Sequence, residues 1–401
     1  MIVDDDDVAL RLKRLADELE EKGQLTDPAW RRAFLAVRRH VFVPRFWHDE
    51  EPGAFPARWR MIDNATVDHP EWLEAVYSNQ TLATELTGVP AKGAPGMHPQ
   101  VTSSTTMPGL VMAMLEALDV RDGMDVLEIG TGTGYNASLL CERLGDTHVT
   151  TIDIGPELTA LARVRLAEHG FHPHVATGDG ADGVPERAPF DRVIATCGLD
   201  DVPQAWIDQT RNGGKILVNV LGPWNGFALV LLTVHGDTAS GRFQRQWGGF
   251  MPRRTDPGRA HDYTVRISEV ADDPAESYSA VDPEALSDDS AFGLIAQSVL
   301  AGVVSRQIYV DDSEKLGTEI ATADGSSWAM VHHEPDGERG FRVLQVGPRR
   351  LWDEIEAVHR EWVAHDRPAH DRFGLTVCGG SAPVLWLDSP DCAPAWELPT
   401  G

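Results

Sequence analysis

The sequence predicts an α/β protein with a central parallel sheet that is covered by helices on both faces. Between residues 107 and 235, short apolar segments such as MDVLEIG and HVTTID alternate with helical segments such as YNASLLCERLG. This alternation is typical of βαβ units, in which crossover helices join parallel strands. The following segment, FALVLLTVHGDTASGRFQRQW, has the pattern of a hairpin that turns at Gly236 and Asp237. We therefore expect the parallel sheet to end in an antiparallel pair.

Two helices are predicted before this sheet, followed by a long covering segment. Residues 8–22 place apolar side chains at helical spacing, and a second helix begins at Asp27 as N-cap with Pro28 in its first turn and ends before Pro44. Residues 45–100 are rich in Pro, Gly and Trp, and we predict an irregular segment with one short helix near 70–77. Its tryptophans, together with Trp224 and Trp247, either wall a peptide groove or belong to the core.

The pattern changes again beyond about residue 251. Charged loops there separate a helix near 286–300, the helix RLWDEIEAVHREWVAH, several short strands and a final hairpin. The sequence therefore predicts three parts: N-terminal helices and a covering loop (1–100), a cofactor-binding core (101–250) and a C-terminal α+β domain (251–401). Because the last part offers no nucleophile, metal-ligand set or phosphate loop, we expect it to recognise the substrate; dimerisation and capping of the sheet are the alternatives.

Composition excludes several classes of function. A net charge of −27 argues against binding to nucleic acid, which requires a cationic surface. We find no apolar run near eighteen residues and no basic, then apolar N-terminus, so neither a membrane span nor a signal peptide is expected. The cysteines, at positions 141, 197, 378 and 392, have no metal-ligand spacing. The sequence thus predicts a cytoplasmic protein with free thiols and no metal site.

The segment VLEIGTGTGYNASLL predicts a cofactor site. Its glycines follow a buried strand, so the backbone there can turn tightly and approach a ligand at the carboxyl edge of the sheet. Asp153 ends the next strand, where a carboxylate can accept hydrogen bonds from two ribose hydroxyls, and a third strand ends near an adenine edge. This combination fits S-adenosylmethionine better than a dinucleotide, since its methionine end needs no pyrophosphate seat. The predicted cofactor-binding residues are Glu128, Gly130, Thr131, Gly132, Gly134, Tyr135, Asn136, Asp153, Asp179 and Gly180, of which Tyr135 and Asn136 either orient the methionine end or only begin the helix.

These segments together resemble the protein-L-isoaspartate O-methyltransferase family. The resemblance covers most of residues 25–222 and is carried by LTDPAWRRAFLAVRRHVFVP, TMPGLVMAMLEAL, the glycine-rich segment and the run APFDRVIAT…VPQAWIDQ…GGKILV. It implies a Rossmann-like fold of the class I S-adenosylmethionine-dependent methyltransferases. It also implies S-adenosylhomocysteine as a product and a peptide or protein as the substrate.

In that family a hydroxyl-bearing segment before the PGLVMAML-like helix holds the substrate carboxylate near the cofactor methyl group. The resemblance therefore implies catalytic roles for Ser103, Ser104, Thr105 and Thr106, with the family's hydroxyl nearest to Thr106. An aspartyl or isoaspartyl carboxylate is already ionised at pH 7, so methyl transfer to it needs orientation and an anion site rather than a general base. Hydroxyls and free N–H groups at a helix start supply such a site. We expect one or two of the four residues to bind substrate and one to cap the helix that begins at Pro108.

The chain also departs from the family's pattern. It has Thr106-Met107 where the family usually has Ser-Gln or Ser-Ala before the proline, its 45–100 segment is longer, and residues 251–401 follow the core. Such extended chains resemble homologues that methylate an aspartate in a cyclised, ribosomally made precursor peptide, whose ester then closes to a succinimide (aspartimide). Housekeeping repair of isoaspartyl proteins is the alternative. A nucleic-acid amine methyltransferase is disfavoured because TCGLDDVP stands where an N/D-P-P-Y motif is required.

Overall fold

The fold is taken from a computed structural model of the chain. The structure describes residues 4–51, 58–66, 69–87, 100–220, 228–256, 274–288, 290–300, 302–309, 315–322, 324–392 and 394–398. Within these ranges, no helix combines the length and the apolar character that crossing a bilayer requires.

The regular elements follow the chain in this order. The helices are α1 (Asp5–Glu21), α2 (Pro28–Ala36), α3 (Arg39–Phe42), α4 (His69–Val76), α5 (Pro108–Ala117), α6 (Tyr135–Leu144), α7 (Pro156–Glu168), α8 (Gln204–Asp208), α9 (Ala285–Asp288), α10 (Ser290–Val299) and α11 (Leu351–Ala364). The strands are β1 (Arg45–Asp49), β2 (Trp59–Asp63), β3 (Leu82–Thr87), β4 (Gln100–Thr105), β5 (Val126–Ile129), β6 (Val149–Asp153), β7 (His174–Thr177), β8 (Phe190–Leu199), β9 (Thr210–Val220), β10 (Ala228–His235), β11 (Thr238–Phe243), β12 (Ala275–Ser279), β13 (Val303–Tyr309), β14 (Lys315–Thr322), β15 (Trp328–Pro335), β16 (Phe341–Val346), β17 (Phe373–Cys378), β18 (Val384–Leu387) and β19 (Ala395–Glu397).

The central sheet has the predicted Rossmann-like arrangement. Strands β7, β6, β5, β8 and β9 are parallel, and the hairpin β10–β11 continues the sheet in antiparallel pairing. Alternate residues of β5 enter different cores: Leu127 and Ile129 pack on one face, and Val126 packs on the other. Helices α1, α2, α5 and α6 cover the face of Val126, and α8, α10 and α11 cover the opposite face. Both faces are therefore buried, which explains the nearly continuous apolar strands in the sequence.

Residues 45–100 were expected to be irregular apart from one short helix, and that prediction is wrong where the structure has strands β1, β2 and β3. They form a four-stranded antiparallel sheet, in the order β2-β1-β3-β4, together with the predicted short helix α4. β1 and β2 pair along their full length, and β4 pairs with β3. The sequence does not indicate this sheet, because its strands lack a clear alternation of apolar and polar residues and the segment around them is rich in Pro, Gly and Trp. Thus β4, which carries the hydroxyl run, belongs to the N-terminal sheet.

The C-terminal segment supplies an additional sheet-rich unit, but it is not separate from the core. Strands β12–β16 form a five-stranded antiparallel sheet, whereas β17, β18 and β19 extend the central sheet beyond β11. β17 pairs with β11 from Thr238–Cys378 to Arg242–Gly374, and Ser240 Oγ lies 2.7 Å from Thr376 Oγ1. The prediction of an independent domain over 251–401 is corrected in this respect. An uncovered β11 would leave a row of unpaired N–H and C=O groups, which the returning strands satisfy.

A chain that ends at residue 250 is expected to be less stable than the full chain. It would expose the edge of β11 and lose the buried side chains of Trp352, Phe373 and Leu375 from the core they share with Leu127. Thermal unfolding and gel filtration should show a lower Tm or aggregation. A chain that ends at residue 389 retains β17 and β18 and serves as the control. An unchanged Tm in the shorter chain would show that the C-terminal strands do not support the core.

Candidate active site

A cavity of about 560 Å³ lies at the carboxyl ends of β5, β6 and β8. One wall comes from these strand ends, and the opposite wall comes from β1, β3, β4 and residues 249–254. Its lining residues are Phe46, Trp47, His48, Asp49, Trp59, Gln80, Thr81, Leu82, Ala83, Val101, Thr102, Ser103, Ser104, Thr106, Ile129, Gly130, Gly132, Ile152, Asp153, Ile154, Leu158, Gly180, Thr196, Cys197, Gly249, Phe250, Met251, Pro252, Arg253 and Arg254. The cavity therefore joins the predicted cofactor loop to the hydroxyl run.

The glycine-rich turn has a backbone that only glycine adopts readily. Gly130 has a φ of +97°, and a Cβ on it would lie 2.7 Å from Thr196 Oγ1. Gly134 has a φ of +89°, a conformation that L side chains rarely adopt, and it lies in ordinary contact range of Ala162 and Leu166 of α7. The first glycine thus keeps the cavity wall open, and the last lets α6 begin against α7.

Asp153 holds this turn in place. Its carboxylate accepts hydrogen bonds from the backbone N–H of Gly132 (2.9 Å) and of Gly155 (3.0 Å). Asp153 is only 9% exposed, and it lines the cavity at the end of β6. The side chain therefore connects two βα turns while facing the space that the sequence assigns to the cofactor ribose.

Glu128 lies beneath the turn and is not among the residues that line the cavity. It is fully buried and accepts hydrogen bonds from Asn136 Nδ2 (2.7 Å) and Thr151 Oγ1 (2.6 Å). Burial raises the pKa of Glu128 to about 7, since the interior disfavours the charged carboxylate. Thr131 Oγ1 lies 2.7 Å from the same Thr151 hydroxyl. Glu128, Thr131 and Asn136 thus form a buried polar network that supports the loop.

Tyr135 is also directed away from the cavity. Its ring is buried against Phe42 and beneath the guanidinium of Arg39. Of the two roles considered for Tyr135, the start of α6 is the one consistent with this position. Gly134, the N-cap of α6, does not line the cavity either.

An ion pair between Asp179 and Arg253 lies just beyond the carboxyl end of β7. Asp179 accepts hydrogen bonds from the backbone N–H of Ala181 (2.9 Å) and from Arg253 Nη1 (2.6 Å). Gly180 lines the cavity, as does Arg253. Residues 251–253 are joined to β8 through Gly198, whose N–H donates to Met251 O and whose carbonyl accepts from Arg253 N, both at 2.8 Å. The sequence analysis did not single out residues 251–253, because they come after the segments in which motifs were recognised.

Three members of the hydroxyl run, Ser103–Thr105, lie on β4, Thr106 follows it, and none of the four caps α5. Ser103, Ser104 and Thr106 line the cavity, whereas Thr105 is 3% exposed and is not among the lining residues. The N-cap of α5 is Met107, which makes no side-chain cap hydrogen bond. The predicted capping role is therefore wrong. Asn79 Oδ1 accepts from Gly109 N (2.8 Å) at this helix start, so the hydroxyls of β4 are not needed there.

A buried arginine fastens this strand to its neighbours. Arg39 is fully buried, and its guanidinium donates to the carbonyl oxygens of Val76, Ser78, Gln80 and Thr106 at 2.8–3.2 Å. Burial lowers the pKa of Arg39 to about 10. Since Gln80 and Thr106 both line the cavity, Arg39 fixes the backbone of two parts of its wall.

Several other lining residues were not singled out in the sequence. Thr196 Oγ1 donates to the carbonyls of Ile129 (3.1 Å) and Gly130 (2.9 Å), and so holds the end of β5. Burial raises the pKa of the neighbouring Cys197 to about 12, which keeps it a thiol. Trp47 and Trp59 line the cavity, whereas Trp72 is fully buried in the core. Trp72 thus belongs to the core, whereas a peptide groove walled by the other tryptophans stays a prediction; Trp224 lies outside the described residues.

Among the described residues, no group of three or more His, Cys, Asp or Glu side chains is arranged to hold a metal ion. The four cysteines are free.

The fold and this site define a class I S-adenosylmethionine-dependent methyltransferase. The family description "Protein-L-isoaspartate(D-aspartate) O-methyltransferase (PCMT)" matches residues 65–230. A protein-L-isoaspartate O-methyltransferase of Thermococcus sibiricus is 33% identical over 220 residues, which are 54% of this chain and 81% of that protein. One of Hyperthermus butylicus is 33% identical over 218 residues, 52% of this chain and 74% of its own. The chain therefore belongs to the protein-L-isoaspartate O-methyltransferase family, whose enzymes use S-adenosylmethionine.

Solved structures agree with this assignment at the level of the fold. One titled protein-L-isoaspartate O-methyltransferase has a TM-score of 0.53 at 19% identity, and the match covers 94% of this chain and 100% of that one. The likeness in fold thus extends beyond the methyltransferase core into the C-terminal segment. Another solved structure is that of a putative protein-L-isoaspartate O-methyltransferase from Plasmodium falciparum in complex with S-adenosyl-L-homocysteine. Its TM-score is 0.43 at 12% identity, and the match covers 61% of this chain and 98% of that one.

Asp153→Ala is expected to weaken S-adenosylmethionine binding by about 1–3 kcal/mol, because the cofactor loop and the predicted ribose contact lose charged hydrogen bonds. Titration calorimetry measures the affinity. Asp191→Ala is the matched control, since Asp191 also accepts a backbone N–H, that of Asp125 at 2.9 Å, but does not line the cavity. Unchanged affinity in a folded Asp153→Ala protein would contradict the assignment.

Proposed function

We propose that this enzyme methylates the side-chain carboxylate of an aspartyl or isoaspartyl residue in a peptide, and that Ser104 and Thr106 orient that carboxylate. The observation that carries the proposal is that both hydroxyl residues line the same cavity as Gly130, Gly132 and Asp153. A substrate bound to the hydroxyls is thereby next to the proposed cofactor position.

The residues of the cofactor half fit S-adenosylmethionine. Asp153 offers a carboxylate for the ribose, Gly130 and Gly132 leave the wall without side chains, and Ile152 and Leu158 provide apolar surface. When bound there, S-adenosylmethionine supplies a methyl group that is transferred to a carboxylate oxygen, with S-adenosylhomocysteine as the product. In this proposal Asp179 and Gly180 contribute to the adenine end.

The chain's own contribution is then orientation. The accepting carboxylate is ionised at neutral pH, so no residue of the cavity is required to remove a proton. Hydroxyl donors on β4 and Thr106 fix the oxygen's direction, and alignment of reacting atoms accounts for much of the rate in such a displacement. Arg39 keeps the carbonyl of Thr106 in place and so holds the anion site rigid.

For the substrate, we favour an aspartate of a cyclised, ribosomally made precursor peptide. The support is the long N-terminal segment, whose hairpin β1–β2 adds Trp47 and Trp59 to the cavity wall. After methylation, a backbone amide nitrogen attacks the ester, methanol leaves and a succinimide closes. Repair of isoaspartyl proteins is the second candidate, and the identity to curated members of the family favours it.

We assign substrate contacts near the carboxylate to the β1–β2 hairpin and to residues 249–254. Of the predicted recognition part, 251–401, only Met251, Pro252, Arg253 and Arg254 line the cavity among the described residues. The rest of this part is proposed to contact regions of the substrate far from the reacting carboxylate. The four free cysteines support a reducing, cytoplasmic location.

Ser104→Ala and Thr106→Val are each expected to lower the kcat/KM for peptide methylation about tenfold or more, since a hydrogen bond to a charged group is lost. Cofactor affinity should be retained. Thr105→Val is the matched control, because Thr105 belongs to the same hydroxyl run but is not among the cavity-lining residues. Equal activity in all three variants would remove the hydroxyl run from the mechanism.

The substrate is tested with two peptides offered separately, an isoaspartyl test peptide and the product of a neighbouring peptide-cyclising enzyme. We expect the cyclised peptide to gain a methyl group and then lose methanol, a net loss of one water by mass spectrometry. The Asp153→Ala protein serves as the low-activity control. Efficient methylation of the isoaspartyl peptide, with none of the cyclised one, would establish repair instead.

A further inference from the structure

A row of side chains leads from the hydroxyl run across the four-stranded N-terminal sheet. Ser104 on β4 is paired with Ala83 on β3, Ala83 with Trp47 on β1, and Trp47 with Met61 on β2. Paired residues on neighbouring antiparallel strands project to the same side of the sheet. The four side chains therefore share one face, whereas Phe46 and the residue opposite it on β2 are buried on the other face.

This row is continuous with the cavity. Ser104, Ala83 and Trp47 all line it, and Met61 at the far end is 38% exposed. The small side chain of Ala83 leaves space between the hydroxyl of Ser104 and the indole of Trp47. The row thus begins at the proposed carboxylate site and ends on large apolar side chains.

Trp59 adds a polar group beside the row. It lies two residues from Met61 on the same strand, so it shares that face and lines the cavity. Its indole N–H is buried and has no hydrogen-bond partner in the part of the chain that the structure describes. A buried donor without a partner costs stability, and a carbonyl group of a bound peptide would satisfy it.

We propose that the row formed by Ala83, Trp47 and Met61, called here the flanking subsite, binds an apolar, preferably aromatic, side chain of the peptide substrate. The proposal rests on the proposed function, since the accepting carboxylate sits at Ser104. Neighbouring strands lie about 4.8 Å apart, so Trp47 is about 10 Å from Ser104, and an extended peptide covers that distance in about three residues. Because successive side chains of an extended peptide point to opposite sides, the bound side chain is two or four residues from the methylated one, on the same side of the peptide.

The chemistry of the row selects this occupant. Aromatic rings pack against an indole in offset or edge-on contacts and against a thioether sulfur, so Trp47 and Met61 favour an aromatic group. The hairpin β1–β2 that carries both lies in the long N-terminal segment. Because the row is continuous with the proposed carboxylate site, its occupant is a residue of the substrate that flanks the acceptor, and not a separate partner protein.

The test uses two series of small peptides, one isoaspartyl and one aspartyl, in which a single Phe among Ala and Gly residues is moved from four positions before the acceptor to four after it. With the wild-type enzyme, KM is expected to be lowest, by about tenfold, when Phe is two or four residues from the acceptor on one side. In Trp47→Ala the dependence of KM on the position of Phe is expected to disappear, and Trp47→Phe should retain most of it. Val164→Ala, on the exposed surface of α7, is the control.

The possible outcomes separate the two proposals. Equal KM values for all Phe positions, with methylation intact, would overturn the flanking subsite and leave the proposed function standing. If neither series accepts a methyl group while the cyclised peptide does, the flanking subsite is overturned and the proposed function stands. If the cyclised peptide is not methylated either, although S-adenosylmethionine binds, the proposed function fails and the subsite fails with it. Should Trp47→Ala not fold, Met61→Ser on the exposed end of the row must lower the Phe preference for the proposal to survive.

Discussion

The carboxylate of Asp153 is the interaction on which the site depends. Parallel pairing of β5 with β6 brings the ends of the two strands side by side, with Ile129 opposite Ile152. Asp153 then accepts the N–H of Gly132 from one turn and that of Gly155 from the other. Without this acceptor, two buried donors would lack partners and the glycine turn would lose its position against β4. That position is close, since a Cβ on Gly132 would lie 3.6 Å from the carbonyl oxygen of Ser104.

The two carboxyl groups of this region have different roles because they differ in burial. Glu128 is enclosed in the sheet, where burial raises its pKa to about 7 and two donors occupy its oxygens. Asp153 lies at the sheet edge, in contact with the cavity. On the opposite side of the cavity, Arg39 has a corresponding supporting role. Its charged guanidinium is buried in the core and donates hydrogen bonds to four backbone carbonyls. These bonds join Thr106 to the turn before β3. The glycine turn and the part of the cavity wall that contains Thr106 are thus each held from behind by a buried ionisable group.

The C-terminal segment stabilises the catalytic sheet rather than standing beside it. Strands β17–β19 continue the central sheet, and α10 and α11 cover one of its faces. Meanwhile the cavity is lined by residues up to Arg254 and, among the described residues, by none after it. Support of the central sheet and lining of the cavity are thus carried largely by different parts of the chain: the described residues after Arg254 contribute to the former, and the N-terminal sheet contributes to the latter.

The sequence by itself determined the parallel core, the glycine turn, the position of Asp153 at a strand end, the hairpin at Gly236 and the family. These features depend on local patterns, such as apolar periodicity and residues with special backbone freedom, which neighbouring residues specify. Only the tertiary structure decided which of Ser103–Thr106 face the cavity, that Tyr135 and Glu128 point away from it, and that β17 pairs with β11. Those outcomes depend on pairings between residues far apart in the chain, as in Ala83–Ser104 and Thr238–Cys378, and a one-residue shift in strand register would reverse the face of every side chain.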